Sequence, residues 1–501
     1  MRADASSLAP HARSLSDQDY IGASTARVSA ADRLPTKSSD RTERALLWAF
    51  IAGLAWCPFW FGSNVLLAWG INAVLFPGLV VIYELSLLIR RKPHAVAVGQ
   101  IRLPAVLFIV VVLWILTQNA TWTPGWMHHP IWQMAADALG RPVEGSISVN
   151  RELTSLALLR LITAASVFWL AMQICRDASR ARLLLQSVAA IICAYAAYGL
   201  VAAWLTPGRI LWFKNPYAKN WLVNSTFVNP DSFSAYAGIG FVLFCGLILR
   251  LYRNELTAVG GSMQFRIASF IEVTGQKGVA LLAGGVVTLI ALLQTGSRGG
   301  IAATAFGLCV LGTLTLRRRK QPFAQSDVII VVIVGALLVG AIFLIFGDVV
   351  FGKISREGVG DLGRIGLYVI TMRSILAVPW FGYGYGTFAD VFPMFRDQSM
   401  GTLETWTQAH DTYLEAFQGL GLIFGPMLVA AVAVPVWRCV KGAATRQMNE
   451  TPCVAAAVAF LLGAHALVDF TLQLQAIAIT FMALLGAGVA QSDSSRLTLA
   501  D

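Results

Sequence analysis

Charge is what this sequence has least of. Only 13% of its 501 residues are Asp, Glu, Lys or Arg, about half the share of a soluble domain. Against that, 56% are hydrophobic and the mean hydropathy is +0.65. The shortage excludes a water-soluble globule and points to a polytopic membrane protein, for which length does not count domains. Cysteine is sparse and scattered: Cys57, Cys175, Cys193, Cys245, Cys309, Cys439 and Cys453 form no CxxC, and none lies in a long polar stretch. A disulfide framework is not expected, and each thiol reads as a small buried hydrophobe. The polar stretch Met1–Arg44 lacks an apolar core, so it is no signal peptide and reads as a disordered cytoplasmic tail.

Other absences narrow the chemistry. No HExxH, no His/Cys cluster and no outward pair of acidic residues occurs, and His128 and His129 are too close along the chain to share one metal easily. No metal site and no cofactor is expected. Walker and dinucleotide-binding signatures are missing, so coupling to a nucleotide is not encoded. No basic groove with interleaved aromatics is visible, so the net charge of +11 is an orientation signal and not a sign of nucleic acid.

What is present is a series of apolar runs of near-spanning length, at about 45–62, 66–89, 103–119, 153–175, 183–205, 232–250, 280–295, 300–316, 328–347, 411–437, 453–470 and 475–491. The expected fold is an all-α bundle of about 12 transmembrane helices over 45–491, with a short cytoplasmic C-terminal tail at 492–501. With the N-terminus inside, most of the 38 Lys and Arg residues fall on the inner side, which supports both termini in the cytoplasm. Three long polar loops then lie outside: 121–152, 206–231 and 347–410. They collect Trp122, Trp126, Trp132, Trp212, Phe213, Trp221, Trp380 and Trp406, which suit an interfacial belt or a platform under a sugar. Ile131, Trp132, Met134, Ala135 and Leu139 fit a short helix lying in the interface.

The stretch from Gly347 to Gly425 organises the chain. It is the longest polar interruption and is too long for a connector. It carries Arg356, Arg364, Arg373 and Arg396, the run Trp380-Phe381-Gly382-Tyr383-Gly384-Tyr385-Gly386-Thr387-Phe388, and His410-Asp411 at the mouth of the next span. His410 reads as a general base or as an interfacial structural histidine. A helix N-terminus favours its neutral form, while a neighbouring carboxylate, Asp411 or Glu415, pushes the other way. Arg298, in Thr295-Gly296-Ser297-Arg298-Gly299-Gly300, sits at a hairpin tip where a helix begins. Uncovered N–H groups and a guanidinium make an anion site there, or the segment is a plain turn. Arg364 alone is a solvated loop charge; beside Arg298 it offers a second guanidinium to a diphosphate. Arg160 lies about two turns inside an apolar run, where it either serves function, as a further guanidinium for the donor diphosphate, or snorkels outward. His465 and Asp469 are one helical turn apart and share a face, as a buried pair or as support for the site.

At these residues the sequence resembles the O-antigen ligase and polysaccharide polymerase superfamily. The similarity rests on Ser225-Thr226-Phe227-Val228-Asn229-Pro230-Asp231, on the Thr295–Gly300 segment, on Pro379–Phe388, and on Ala409-His410-Asp411-Thr412-Tyr413-Leu414-Glu415 with Gly419-Leu420-Gly421. It covers roughly Leu222 to Phe424. Many relatives carry Asn where this chain has Asp411, and Asn is common at the position of Asp231. The resemblance implies a GT-C-like membrane fold in a bacterial inner membrane. It implies a glycan donor on undecaprenyl diphosphate and metal-independent transfer on the periplasmic face to a glycan or lipid A-core acceptor. Other polysaccharide-assembly proteins are the expected company. Arg298 and Arg364 take the diphosphate in that picture, His410 is the base, and Asn229 is a supporting residue. Two other classes stay open: a lipid-linked glycan transporter, which calls for charged groups near mid-membrane in several spans, and a non-catalytic assembly scaffold.

Overall fold

The computed structural model describes residues 37–215, 222–256, 272, 274–316, 362–398, 406–445 and 449–492. The span expected at 328–347, Arg356 and Trp221 lie outside the described residues, as do most of the expected tails. Chain contacts divide the molecule into Met1–Ala45 and Leu46–Asp501. In the first unit the described residues already form helix, Lys37–Trp56 (α1), so helix begins before the expected end of the tail.

The other helices follow the apolar runs: Leu66–Arg90 (α2), Arg102–Asn119 (α3), the short Ile131–Leu139 (α4), Arg151–Ile174 (α5), Ala178–Leu205 (α6), Pro230–Leu256 (α7), Val279–Gln294 (α8) and Arg298–Leu316 (α9). Then come Leu362–Ala377 (α10), Phe388–Phe395 (α11), Thr412–Thr445 (α12), Thr451–His465 (α13) and Gln475–Ala490 (α14). Polar caps mark the starts of α5 and α6. Asn150 accepts the N–H groups of Glu152 and Leu153, and Asp177 those of Ser179 and Arg180, which satisfies donors that the first turn leaves open. One two-stranded hairpin, Arg209–Ile210 with Phe213–Lys214, interrupts the helices. Among the described residues seven helices are long and apolar enough to cross a membrane, and α8, α13 and α14 are apolar but shorter. None of the seven cysteines is joined in a disulfide.

Burial orders these helices. In Pro230–Tyr252, 83% of the most apolar stretch is buried, against 17% in Val98–Asn119. α7 is therefore central, while α2 and α3 present Leu67, Val74, Leu113 and similar side chains outward. The hairpin of α13 and α14 is buried along almost every residue and packs on α5, α7, α9 and α12. With 15 and 16 residues these two helices reach about 24 Å at 1.5 Å per residue, less than the ~30 Å apolar core of a bilayer. A short helix followed by irregular backbone is tolerable where protein, not lipid, surrounds it. The irregular backbone here is the turn from Ala466 to Leu474.

α12 departs from expectation in one place. The run from 411 is not one continuous helix but breaks at Gly421 (φ 80°, ψ 171°). A side chain at Gly421 would sit 2.4 Å from the Trp380 carbonyl oxygen, so a left-handed residue without a β-carbon is required.

Candidate active site

The site is built around the Ala466–Leu474 turn. α13 ends at His465, and the N–H groups of Val468 and Asp469 both bond to the His465 carbonyl at 3.0 Å. Asp469 thus stands just beyond the helix and not within it, yet still one turn from His465. Its carboxylate is wholly buried. Oδ2 accepts from Thr471 Oγ1 at 2.9 Å and Ser232 Oγ at 3.3 Å, and Oδ1 lies 3.2 Å from His410 Nδ1. Thr471 Oγ1 also lies 2.6 Å from His465 Nδ1. Because that hydroxyl spends its one proton on Asp469, His465 must donate to it. An ionised Asp469 can only accept, so His410 carries its hydrogen on Nδ1 and leaves the Nε2 lone pair free.

His410 reaches Asp469 through an unusual backbone. Its φ is +52°, a left-handed conformation that a non-glycine residue adopts at a cost of about 1–2 kcal/mol. Several contacts hold it. The Thr412 N–H bonds to the Ala466 carbonyl at 2.8 Å, and Tyr368 Oη donates to the His410 carbonyl at 3.0 Å. The imidazole meets Trp406 and Phe470 edge to face at 5.5 and 4.8 Å. The carboxylate facing the ring is therefore Asp469, not Asp411 or Glu415. Asp411 caps α12, with Oδ1 accepting from the Tyr413 and Leu414 N–H groups at 2.8 and 2.9 Å. Burial pushes the Asp411 carboxyl above its ordinary range, and those two N–H groups pull it back. Glu415 turns instead to the Ala409 N–H at 3.0 Å.

The arginines arrive from three directions. Arg364, near the start of α10, donates through Nη1 to the Val468 carbonyl at 2.7 Å and through Nη2 to Asp231 Oδ2 at 2.8 Å. Asp231 stands in the first turn of α7. Asn229 caps that helix by accepting the Asp231 N–H at 2.9 Å, with Pro230 as its first residue. Arg298 begins α9. Ser297 is the cap there and takes the Gly300 N–H at 3.2 Å, so that donor is not left uncovered. The glycines serve close packing: a β-carbon at Gly300 would meet Ser234 Oγ at 1.9 Å, and one at Gly299 would meet Val468 at 3.0 Å and His465 at 3.6 Å. The helix that Arg298 opens is thereby pressed against the same turn that holds Arg364 and Asp469. Arg160, in α5, reaches the opposite end of that turn. It donates to the Gln473 carbonyl and covers the Trp69 ring at 4.5 Å, while its Nε is buried without a partner. Gln473 in turn accepts from Thr412 Oγ1 at 3.1 Å. Arg160 thus braces the base of the His410 helix, across the turn from Arg364.

The glycine–aromatic run is a fastening. Its backbone pairs with the broken part of α12: Tyr383 N–H to the Gln418 carbonyl and Gly384 N–H to that of Gly419, both at 3.1 Å, and Leu422 N–H to the Pro379 carbonyl at 2.7 Å. Gln118 of α3 donates at 2.7 Å to the carbonyls of both Phe381 and Gly419. Gly384 has φ 102°, and a β-carbon there would lie 2.3 Å from Ser148 Oγ. The run thereby sets the angle at which the first turns of α12 present His410. Among the described residues no group of three or more His, Cys, Asp and Glu is arranged to hold a metal ion.

Residues 283–430 match the family model described as O-antigen ligase. Over that stretch the chain is similar to the O-antigen ligase family. Comparison with curated proteins gives no match. The family stretch holds His410, Arg298 and Arg364, whereas Asp469, His465, Asp231, Asn229 and Arg160 come from outside it. Sequence reasoning missed the Asp231–Arg364 ion pair, the Thr471 and Ser232 hydroxyls, Tyr368 and Gln473. A faint signal existed for the first alone, since an acidic residue in a helix's first turn and an arginine are natural partners. The others are serine, threonine, tyrosine and amide side chains with nothing local to mark them.

Proposed function

We propose that this chain transfers a glycan from undecaprenyl diphosphate to a hydroxyl acceptor on the periplasmic face of a bacterial inner membrane. Both termini lie in the cytoplasm in this reading, and the full bundle has about 12 crossings in a GT-C-like arrangement. One observation supports it above the others. A wholly buried carboxylate, Asp469, orients His410, while Arg364 binds the carbonyl of the adjacent residue, Val468. An oriented imidazole and a guanidinium thereby share one turn of chain.

The residues suit the chemistry. A glycosyl diphosphate leaves as an anion, so its departure needs charge neutralisation and not a proton. Arg364 and Arg298 supply it as charge develops on the bridging oxygen. The acceptor hydroxyl is a poor nucleophile until its proton is taken, and His410 Nε2 takes it. The new bond forms between the acceptor oxygen and the anomeric carbon as the bond to the phosphate oxygen breaks. The proton ends on His410, where Asp469 stabilises the imidazolium. Direct displacement inverts the anomeric carbon, and no metal enters the step. Arg160 acts at one remove, through Gln473. The acceptor is lipid A-core in a ligase or another lipid-linked repeat in a capsule or exopolysaccharide polymerase, and Asp411 in place of Asn favours the polymerase.

The test is reconstitution of the purified chain with a defined undecaprenyl-diphosphate oligosaccharide and both acceptor types. His410→Ala and Arg298→Ala are expected to abolish transfer while leaving expression and membrane insertion intact. Full transfer by His410→Ala protein would remove His410 from the mechanism, and the product formed by the wild type decides between ligase and polymerase.

A further inference from the structure

Two ionisable side chains lie within the spans beside the site, and neither takes part in the transfer step. Glu415, in the first turn of α12, is buried and accepts the Ala409 N–H through Oε2 at 3.0 Å. Arg160, in α5, donates to the Gln473 carbonyl. The two feel each other's charge, and the Gln473 side chain bonds to the Glu415 carboxylate. Gln473 Oε1 is taken by the Thr412 hydroxyl at 3.1 Å, which leaves the amide nitrogen for Glu415. We propose that Glu415 is a positioning residue for His410 and that Arg160 is its counter-ion, not a ligand of the donor. The inference rests on the reading of His410 as the base.

The argument starts from the strain at His410. Its φ of +52° is a conformation that a non-glycine residue keeps only where its surroundings hold it. One flank is held by the Thr412 N–H on the Ala466 carbonyl. The other flank is the Ala409 N–H, and Glu415 holds it. Ala409 is wholly buried among Leu367, Ile370, Phe388 and Phe392, so its N–H has apolar side chains around it and depends on the carboxylate. An ionised acceptor makes the stronger bond, but a buried anion needs a cation. Asp411, one turn earlier, adds a like charge beside Glu415. Arg160 supplies the opposite one, with Gln473 between them. The Gln473 backbone carbonyl takes the guanidinium, while its side chain takes the carboxylate and the Thr412 hydroxyl. Arg160, Gln473 and Glu415 thereby form one line of contacts that ends on the residue before His410. A diphosphate that drew Arg160 away would leave Glu415 buried and unpaired, so the guanidinium is assigned to the carboxylate.

The experiment measures transfer by the reconstituted full chain, with kcat and donor KM resolved, together with thermal unfolding in detergent. Glu415→Leu removes the acceptor of the Ala409 N–H and is expected to lower kcat about thirtyfold, the worth of a hydrogen bond to a charged group, with donor KM unchanged. Glu415→Gln keeps an oxygen for that N–H and recovers most of the loss. The Gln473 amide turns over to meet it, since Thr412 Oγ1 accepts as well as donates. Arg160→Met lowers kcat by less than Glu415→Leu does and leaves donor KM unchanged. Combined with Glu415→Gln, it costs less in unfolding midpoint than the two single changes added together, as a buried ion pair requires. Wild-type kcat in Glu415→Leu, or equal losses in the Gln and Leu variants, overturns the positioning role. A raised donor KM in Arg160→Met, or strictly additive midpoints, overturns the counter-ion. His410→Ala separates the two levels of argument: if it transfers like wild type, the assignment of the base fails and the role of Glu415 falls with it. If His410→Ala is inactive while Glu415→Leu keeps its kcat, the positioning role alone fails. The double variant Arg160→Met/Glu415→Leu, which leaves no charge at the pair, serves if Glu415→Leu does not insert.

Discussion

Replacing Asp469 with Asn tests the central geometry with almost no change of shape. The carboxylate lies 3.2 Å from His410 Nδ1. At an effective dielectric of about 20 its attraction for an imidazolium at that distance is about 5 kcal/mol. None of this is felt when His410 is neutral; all of it acts once His410 has taken the acceptor's proton. At 1.36 kcal/mol per tenfold the full loss would slow the chemical step by between three and four decades. An amide oxygen still accepts the Nδ1 hydrogen, so part of the orientation survives and the expected fall in kcat is about a thousandfold. KM for the donor should change little, because the arginines are untouched. The assay is transfer by the reconstituted chain with kcat and KM resolved separately, alongside direct donor binding to show that the variant is folded. A kcat within about tenfold of wild type, or a loss carried wholly by KM, would refute the role given to Asp469.

Other positions give sharp contrasts. Gly384→Ala forces a β-carbon to 2.3 Å from Ser148 Oγ at φ 102° and should cost at least about 2 kcal/mol. Gly70→Ala, in α2 with nothing within 4 Å, should be neutral or slightly stabilising; equal thermal unfolding of the two variants in detergent would contradict this. Gln118→Leu withdraws a donor from the Phe381 and Gly419 carbonyls, with an expected loss of about 2 kcal/mol read as a lower unfolding midpoint. Asp411 carries a pH signature. Burial raises its carboxyl above the ordinary value, so the folded chain holds this proton more tightly than the unfolded one. Its contribution to stability is full below the unfolded value, about 3.9, and is lost as pH rises through the folded one. Asp411→Asn keeps the helix cap and should flatten that decline in an unfolding series from mildly acidic to neutral pH; parallel curves for variant and wild type would count against it.

Local physics explains which features could be read in advance. An apolar run of spanning length becomes a helix because its own backbone must be satisfied internally, so the boundaries of α2, α3, α5 and α6 fall close to the runs. His410, Arg298 and Arg364 stood out because charge is rare in so oily a chain. The direction of each side chain was another matter. Asp411 and Glu415 are the carboxylates nearest His410 in sequence, and the natural inference was that one of them faces its ring. A backbone φ of +52° at His410 and the helix start at Thr412 turn both toward N–H groups instead. The carboxylate that does face it comes from 59 residues further on, and no local pattern announces that. The break at Gly421 was hidden for the same reason: it depends on the Trp380 carbonyl from a different loop.

The distribution of the site across the chain has a consequence of its own. The family stretch ends before α13, yet the turn after α13 is where His410, Arg364 and Arg160 all make contact. Each is placed by bonds to a turn that carries one buried acid and several backbone carbonyls. Backbone carbonyls are insensitive to side-chain identity, so the turn holds two arginines whatever occupies Val468 and Gln473, whereas its polar bond to the His410 ring comes from the Asp469 side chain. Substitution at Val468 or Gln473 should therefore disturb the arginines less than substitution at Asp469 disturbs His410. The packing of α13 and α14 into the centre of the bundle is then a precondition of the chemistry, since a turn anchored by two almost wholly buried helices cannot shift to suit the residues it positions.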